Sequence, residues 1–182
     1  SGNTILHKRF TGGHLTLAGS NSPAGLASRP IRIVLCDEVD RYPASAGSEG
    51  DPVNLSIKRT ATFWNRRIVL TSTPTIKGAS RIDMAYENSD QRHFYVPCPH
   101  CGTFHILKWE NCRWPPGSPD RAVMVCPECA VEIEESHKPR LLAMGEWRAE
   151  MPFNGVAGFH INELYSPWRK WADIAREFLF AK

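Results

Sequence analysis

Short apolar runs alternate with polar and glycine-rich stretches along the first half of the chain. The clearest run, residues 31–36, follows Pro30, is rich in β-branched residues and ends at two adjacent acids, Asp37 and Glu38. A continuous apolar run of this kind predicts a strand covered on both faces, as strands of parallel sheets are. Ligands of open α/β sheets bind beyond the carboxyl ends of such strands, so the two acids mark a candidate site.

A second apolar run, residues 68–71, leads into the polar residues 71–73. Between the two runs, Asp51 and Pro52 mark the start of a helix that is predicted to end near residues 64–65. A strand, a helix and another strand predict a right-handed βαβ unit, which brings both polar tips to one edge of a parallel sheet. We therefore expect residues 71–73 to lie near the two acids.

Adjacent carboxylates at a strand tip suit metal-phosphate chemistry. One carboxylate can hold Mg²⁺, generally through its waters, and the next can polarise a nucleophilic water. The alternative is a strand that runs out into a solvated acidic turn, because Asp-Glu after an apolar run is not specific by itself.

The remaining pattern predicts further short strands and helices. Strands are expected at residues 14–19, 93–96, 103–109 and 122–125, near Trp147, and at 158–161, the last returning to the main sheet. Helices are expected at 22–27, at 80–88 with Ser80 and Asp83 as capping residues, at 134–144, and after Ser166-Pro167 with an apolar stripe of Trp168, Trp171, Ile174, Ala175 and Phe178. Residues 41–51 have the composition of a surface loop.

Four of the six cysteines form two matched Cys-Pro-x-Cys pairs. Cys98 and Cys101 make the first pair, Cys126 and Cys129 make the second, and 24 residues separate the pairs. Two such hairpins predict a zinc ribbon, in which four thiolates close a tetrahedral Zn²⁺ site. A closed site leaves no position for a substrate, so we expect a structural metal. The alternative is four buried thiols without a metal.

The other cysteines and two nearby histidines lie outside this pattern. Cys36 and Cys112 are expected to be small buried hydrophobes, with a partly exposed thiol as the alternative for Cys112. His100 and His105 would be surplus ligands, so we expect them to face solvent.

Composition narrows the class of protein only mildly. The 182 residues can form one core and a small second module, and a net charge of +3 is compatible with nucleic-acid contact without establishing it. No apolar run is long enough for a membrane span and residues 1–10 lack the apolar region of a signal peptide, so we expect no membrane partner and a cytoplasmic location. The chain begins without Met and ends within a helical pattern, which predicts a piece of a longer protein.

Several short motifs occur in one fixed order along nearly the whole chain. They are Gly-Ser-Asn-Ser-Pro-Ala at 19–24, Ser-Arg-Pro at 28–30, Asp-Glu-Val-Asp-Arg-Tyr-Pro at 37–43, Thr-Ser-Thr-Pro-Thr at 71–75 with Gly78, Ser-Asp-Gln-Arg at 89–92, Cys-Pro-His-Cys-Gly at 98–102 and Leu-Tyr-Ser-Pro-Trp at 164–168. In this order they resemble the GpA family, the large terminase subunits of lambda-type tailed phages. The resemblance implies an ATP-driven DNA-packaging motor with an N-terminal ASCE-type ATPase domain and a C-terminal nuclease domain.

The resemblance also implies roles for the residues at the strand tips. Asp37 would be the Walker B aspartate that positions Mg²⁺, and Glu38 would be the catalytic carboxylate that orients the attacking water. Arg41 and the loop that follows it are candidates for sensing nucleotide or DNA. The motif that couples the γ-phosphate state to movement would be Thr71, Ser72 and Thr73.

The cofactors implied for the full-length protein are ATP and Mg²⁺, in addition to the structural Zn²⁺. The implied partners are double-stranded phage DNA, the small terminase subunit and the portal, with a homo-oligomer in the motor as a further expectation. The expected location is the cytoplasm of the bacterial host.

One departure from the family pattern is the missing phosphate-binding loop. No G-x-x-x-x-G-K-[ST] run occurs in these residues, and in the family it lies upstream. The nuclease carboxylates are likewise absent, so the isolated chain is expected neither to hydrolyse ATP nor to cut DNA. Two alternatives stay open: a helicase-like ATPase with an inserted zinc ribbon, because residues 37–40 also resemble a helicase acidic box, and a non-catalytic zinc-ribbon module that binds DNA or protein.

The elements and the resemblance together predict an α/β fold. We expect a partial ASCE, RecA-like and mostly parallel sheet flanked by helices, with an inserted zinc-ribbon-like β module. The expected domains are an ATPase core segment at 1–96, the insertion at 97–133 and the C-terminal part of the ATPase domain at 134–182.

Overall fold

The computed structural model describes residues 3–27, 29–76 and 78–181, so Ser28 of the motifs above lies outside the described residues. The chain divides into two compact units, Ser1–Met84 and Ala85–Lys182. Helices and strands occur in both, which agrees with the expected α/β class. Five of the seven strand pairings in the described ranges are antiparallel, so the expected mostly parallel sheet is present only locally.

The first unit begins with a hairpin. Strands β1 (His7–Phe10) and β2 (Gly13–Thr16) pair antiparallel around a turn at Gly12, whose φ of 85° suits a residue without a Cβ. The strand predicted at 14–19 is therefore the second arm of this hairpin and ends earlier than expected. Helix α1 (Pro23–Ala27) follows where a helix was predicted.

Two parallel strands form the centre of the first unit. Strand β3 spans Ile33–Asp37, helix α2 spans Pro52–Lys58 and strand β4 spans Arg67–Thr71. The pairing runs from Ile33 opposite Arg67 to Asp37 opposite Thr71. This register confirms the predicted parallel pair with a shared polar edge.

Only one face of this strand pair is covered. Val34 and Cys36 are buried in a cluster with Val53 of α2, whereas Ile33 and Leu35 are 49% and 68% exposed. Successive strand residues point to opposite faces, and the helix covers one of them. The prediction of a strand covered on both faces is therefore wrong for the described residues.

The helices of the first unit keep their predicted starts. Asp51 caps α2 by accepting a hydrogen bond from a first-turn amide, and Pro52 is its first residue. The helix ends at Lys58, several residues before the predicted end. Helix α3 spans Arg81–Glu87, and Ser80 caps it through its hydroxyl, as predicted.

The second unit contains short strands joined by turns. Its strands are β5 (Arg92–Pro97), β6 (Phe104–His105), β7 (Cys112–Arg113), β8 (Val123–Val125), β9 (Glu132–Ile133), β10 (Glu146–Ala149) and β11 (Phe159–His160). Its helices are α4 (Lys138–Ala143) and α5 (Trp171–Phe180). Single 3₁₀ turns lie at Trp109–Asn111, Pro119–Arg121, Glu135–His137 and Glu163–Tyr165.

Strand β5 is the centre of the larger sheet in this unit. It pairs antiparallel with β6 and β10 and parallel with β11, while β7, β8 and β9 form a separate antiparallel sheet. The strand predicted at 158–161 therefore joins β5. The expected return to the main sheet is thus a parallel pairing with β5, which in the described residues belongs to a different sheet from β3 and β4.

The core of the second unit includes Leu107, Met124, Ile133 and Trp171, each at most 1% exposed. Tyr165 brings a hydroxyl into this core, where it accepts a 2.8 Å hydrogen bond from the Leu107 amide and donates one of 2.7 Å to the Phe94 carbonyl. Because the hydroxyl both donates and accepts a hydrogen bond, its burial costs little free energy.

Helix α5 starts later than predicted. Ser166-Pro167 was the expected cap, but the first helical residue is Trp171, whose amide donates a 2.8 Å hydrogen bond to a Glu135 carboxylate oxygen. Trp171 and Ala175 are buried, whereas Trp168 precedes the helix and is 89% exposed, so the predicted stripe is only partly correct. None of the helices in the described ranges has the length and apolar character that a membrane crossing requires.

Candidate functional site

The first candidate site lies at the polar edge of β3 and β4. Asp37 is the last residue of β3, and Thr71 is the last residue of β4. Thr71 Oγ1 donates a hydrogen bond of 2.6 Å to Asp37 Oδ1, which orients one side of this exposed carboxylate. The structure thus brings together two residues predicted to meet from sequence alone.

Glu38 follows Asp37 in a left-handed backbone conformation, with φ of 55° and ψ of 46°. This conformation is uncommon for residues other than glycine and costs about 1–2 kcal/mol. It turns the chain sharply out of β3 into a 3₁₀ turn at Val39–Arg41 and leaves the Glu38 side chain half-exposed. Arg41 Nε lies 3.4 Å from Glu38 Oε2, which places this candidate sensor residue beside the second acid.

The other two predicted residues of the β4 tip differ in their contacts. Ser72 Oγ accepts a 3.2 Å hydrogen bond from the Asp40 amide, so it joins the loop after β3 to the loop after β4. Thr73 is exposed, and its carbonyl accepts a 3.3 Å hydrogen bond from the Ser72 hydroxyl.

Asp40 connects the two loops, a role that nothing in the sequence alone assigns to it. Its Oδ2 accepts hydrogen bonds from the amide and hydroxyl of Thr75, and its Oδ1 accepts one of 2.9 Å from the Ile82 amide at the start of α3. Burial opposes ionisation, but hydrogen bonds from Ser80, Ile82 and Thr75 together lower the pKa of Asp40. One carboxylate therefore fixes the acidic loop, the β4 tip and α3 together.

Arg81 is a second residue that sequence reasoning missed. Its guanidinium donates to the carbonyls of Val39, Tyr42 and Pro43 at 2.8–3.0 Å and forms a 2.9 Å ion pair with Asp51. The guanidinium therefore holds both ends of the loop at residues 41–51, which follows the acids at the end of β3. Only the contacts identify it, because an arginine near a helix start carries no specific signal in sequence.

The arrangement has a defined chemical capacity. Carboxylates at the carboxyl ends of parallel strands are hard oxygen donors of the kind that Mg²⁺ takes together with its own waters. The Thr71 hydroxyl orients the Asp37 carboxylate, and Glu38 adds a second acid that reaches solvent. The residues present therefore fit a magnesium site that uses one or two carboxylates.

The second candidate site is the cysteine cluster of the second unit. The Sγ atoms of Cys98, Cys101, Cys126 and Cys129 all lie within 4.8 Å of one another. Two of the separations, Cys98 to Cys129 and Cys101 to Cys126, are 3.8 Å. Zn–S bonds of about 2.3 Å in a tetrahedron place sulfur atoms about 3.8 Å apart. This donor set fits a closed four-thiolate zinc site.

The two cysteine hairpins have the same backbone geometry. In each, the residue after the second cysteine is left-handed, Gly102 in one and Ala130 in the other, and its amide donates a 3.0 Å hydrogen bond to the carbonyl of the first cysteine. In the first hairpin, hydrogen bonds from the Thr103 hydroxyl and amide lower the pKa of the Cys101 thiol to about 6. Repeated geometry of this kind positions thiols to face a common centre.

The residues near the cluster test the remaining expectations. Cys36 and Cys112 are buried, as predicted, and burial raises the pKa of Cys112 to about 11. His100 is exposed, but His105 is buried, so the expectation that both face solvent is wrong for His105. His105 lies on β6 with its ring against the Thr103 carbonyl, and burial lowers its pKa.

Comparison with known families decides the class of protein. A family model described as the phage terminase large subunit gpA, ATPase domain, matches residues 1–147, a range that includes the acidic edge and all four cysteines. The chain belongs to this family. Its membership favours a terminase over the helicase-like alternative.

Two curated relatives agree with the family. The chain is 28% identical over 207 residues to the large terminase subunit of Enterobacteria phage P21, which covers 98% of the chain and 32% of that protein. It is 25% identical over 206 residues to the large terminase subunit of Escherichia phage lambda, which covers 99% of the chain and 32% of that protein. The chain thus spans about a third of the length of these relatives. No solved structure matches the chain.

Proposed function

We propose that this chain supplies the Walker B part of the ATPase that drives DNA packaging in a large terminase subunit. The observation that carries the proposal is the hydrogen-bonded pair of Asp37 and Thr71 at an exposed edge of parallel strands, in a chain of the terminase ATPase family. A structural turn alone would not require a threonine aimed at the aspartate.

The positions of the side chains support the roles that we propose for them. Asp37 would hold Mg²⁺, generally through the waters of the ion, and Glu38 would orient the water that attacks the γ-phosphate. Thr71, Ser72 and Thr73 respond to the γ-phosphate state and pass the response on to the loop after β3. The bond from the Asp40 amide to Ser72 and the bonds from Thr75 to Asp40 support this transmission.

The phosphate-binding loop and the nuclease carboxylates belong to other parts of the parent protein in this proposal. No P-loop motif occurs in the 182 residues, so the isolated chain cannot cradle the phosphates of ATP. The parent protein hydrolyses ATP and cuts DNA, whereas the isolated chain does neither. We propose functional boundaries after residues 96 and 133; the first lies within β5 and so differs from the division into compact units after Met84.

The zinc ion has a structural role in this proposal. Four thiolates complete its coordination, which leaves no open position for chemistry. It would stabilise the segment around the short strands β6 to β9, where little core is available for so many turns. The proposed partners of the whole protein are double-stranded phage DNA, the small terminase subunit, the portal and further copies of the large subunit.

The test uses the parent protein that includes the P-loop. Glu38→Gln is expected to lower steady-state ATP turnover at least about 100-fold while nucleotide binding is retained. Glu87→Gln, which removes an exposed acid at the end of α3 and outside that loop, is the matched control and should leave turnover unchanged. ATP hydrolysis by the isolated 182 residues that Glu38→Gln abolishes would refute the proposed division of the active site.

A further inference from the structure

Charge is unevenly distributed in the first unit. Residues 1–84 contain eleven Lys and Arg against six Asp and Glu, whereas residues 85–182 contain eleven against thirteen. No acid occurs in residues 1–36 or 52–82, so five of the six acids of the first unit lie within residues 37–51. Cations outside that stretch therefore have few carboxylates near them in sequence.

The structure gathers six of these cations at the amino-terminal end of the strand pair. We name this group the basic face; it consists of Arg29, Arg32, Lys58, Arg59, Arg66 and Arg67. Backbone hydrogen bonds hold its parts together: the Arg67 amide donates to the Arg32 carbonyl at 3.0 Å, and the Ile31 amide donates to the Arg59 carbonyl at 3.1 Å. In the described part of the chain, none of the six forms an ion pair with a carboxylate.

Part of the basic face is concave. Arg29, Lys58 and Arg59 line a shallow cavity of about 150 Å³ together with Pro30 and Thr62. The Nε of Arg59 is buried and has no hydrogen-bond partner among the described residues. A buried donor of this kind costs free energy until an acceptor reaches it, and a phosphate oxygen is such an acceptor.

The basic face lies at the start of β3, and the acids Asp37 and Glu38 lie at its end. Arg32 precedes this five-residue strand, and Asp37 ends it, so about 16 Å of extended chain separates them. That distance exceeds the Debye length of about 8 Å at physiological salt, so the acids do little to weaken attraction at the basic face. A polyanion can therefore bind here without meeting the proposed magnesium site.

An exposed aromatic ring borders the cations. Trp64 is 95% exposed in the turn between α2 and β4, two residues before Arg66. Such a ring can stack on nucleobases where an end or an opened stretch of DNA exposes them, although the bases of an intact duplex are already stacked on one another; an acidic protein surface offers no bases. This neighbour favours nucleic acid over an acidic protein as the polyanion.

We propose that the basic face, with Trp64 at its border, is a DNA-contact surface that binds the phosphate backbone. The inference rests on the proposed packaging function and adds the surface through which this part of the motor engages its substrate. Its contacts are mainly with phosphates, so binding is independent of sequence and falls steeply with salt.

The experiment measures fluorescence anisotropy of a labelled duplex of about 30 base pairs with the 182-residue chain, without nucleotide, across about 50 to 200 mM salt. If all six cations engage phosphates, the slope of log K against log salt is about −5. Arg66→Gln with Arg67→Gln should reduce that slope by about 2 and lower affinity at least about tenfold at the low-salt end. The double substitution Lys58→Gln with Arg59→Gln should change the slope and the affinity by similar amounts.

The matched control is Arg113→Gln with Arg121→Gln, which removes two exposed cations from the second unit. Equal weakening by this pair, or no weakening by Arg66→Gln with Arg67→Gln, would overturn the proposal. So would equal competition by poly-glutamate and duplex DNA at matched charge, which would point to an acidic protein. An unchanged melting curve by circular dichroism shows that a variant is still folded. Arg66 and Arg67 are exposed, so their double variant tests the proposal even if replacing Arg59 disrupts the fold. Because no nucleotide is present, failure of the ATPase proposal leaves this result unaffected.

Discussion

Thr71 Oγ1 donates its hydrogen to Asp37 Oδ1 across the last register position of β3 and β4. The pair joins two strand tips that are 34 residues apart in sequence. It therefore orients the carboxylate before any ligand arrives, which is the preorganisation that the proposed magnesium-binding role of Asp37 would require.

Thr71→Val tests this relationship, because valine keeps the shape of threonine and removes its hydroxyl. In the parent protein with its P-loop, we expect ATP turnover to fall about tenfold, since the Asp37 carboxylate loses its orienting partner. Stability of the 182-residue chain should change by no more than about 1 kcal/mol, because the bond is exposed. Thr11→Val in the exposed hairpin turn is the control. Unchanged turnover in Thr71→Val would mean that the bond has no role in catalysis.

Arg81→Ala should destabilise the first unit. The substitution removes an ion pair with Asp51 and three hydrogen bonds to the loop carbonyls, in a partly buried position, so we expect a loss of about 2–3 kcal/mol in the free energy of unfolding. Arg41→Ala is the control, because Arg41 is 72% exposed and its pair with Glu38 should contribute less than about 0.5 kcal/mol. Urea unfolding of both variants measures the difference. Equal losses would contradict the proposed role of Arg81.

Asp40 should make the stability of the first unit dependent on pH. Burial opposes its ionisation, but hydrogen bonds from Ser80, Ile82 and Thr75 lower its pKa in the folded chain below the unfolded value. Stabilisation is then fully present above the unfolded pKa of about 4 and is lost as pH falls through the lowered folded pKa. Asp40→Asn should be less stable than the wild type at pH 7, and this difference should shrink below about pH 4.

The control for Asp40 is Glu49→Gln, which removes an exposed acid from the same loop. Urea unfolding across the acid range compares both variants with the wild type. A difference between Asp40→Asn and the wild type that stays constant with pH would show that the hydrogen bonds of Asp40 do not favour its charged form.

Local patterns predicted the pieces of the fold better than their assembly. The parallel pairing of β3 with β4 and the meeting of Asp37 with Thr71 followed from apolar runs, a capped helix and the geometry of parallel strands. The partner of β11 did not, because a two-residue strand gives no signal of which strand it joins. Pairing with β5 depends on contacts over 60 residues away in sequence.

The site was predictable where chemistry acts through residue type and spacing. The cysteine pairs specify their own grouping, so the four thiols were expected together. The roles of Asp40 and Arg81 could not be predicted from sequence, because they depend on contacts with backbone groups of distant segments. The exposed face of Leu35 was unexpected because an apolar run shows that burial is possible but not which faces are covered.

Gly158 touches the Ser-Asp-Gln-Arg motif and should not tolerate a side chain. A Cβ at this position would lie 1.9 Å from Ser89 Oγ and 3.0 Å from the Tyr86 ring, while the Gly158 amide bonds to Asp90. We expect Gly158→Ala to lower the free energy of unfolding by about 1–3 kcal/mol, because Ser89 must move. Gly19→Ala, with open space around its Cβ, should lie within about 0.5 kcal/mol of the wild type. Comparable stability of the two variants would contradict the close packing of this motif.

The cysteine cluster predicts one zinc ion per chain. Thiolate sulfurs at 3.8 Å already have the spacing of a tetrahedral site, so elemental analysis of freshly purified, unchelated protein should find close to one equivalent of zinc. Cys126→Ser should bring the content below about half an equivalent and lower the thermal stability of the second unit, since metal binding contributes to its folding. Cys112→Ala is the control, because Cys112 is a buried thiol outside the cluster, and the zinc content of this variant should stay unchanged.

Less than half an equivalent of zinc in the wild type would refute four-thiolate coordination. The same loss of zinc in both variants would instead indicate that the metal leaves because the fold is damaged, so the melting curve of the Cys112→Ala variant must accompany the metal analysis.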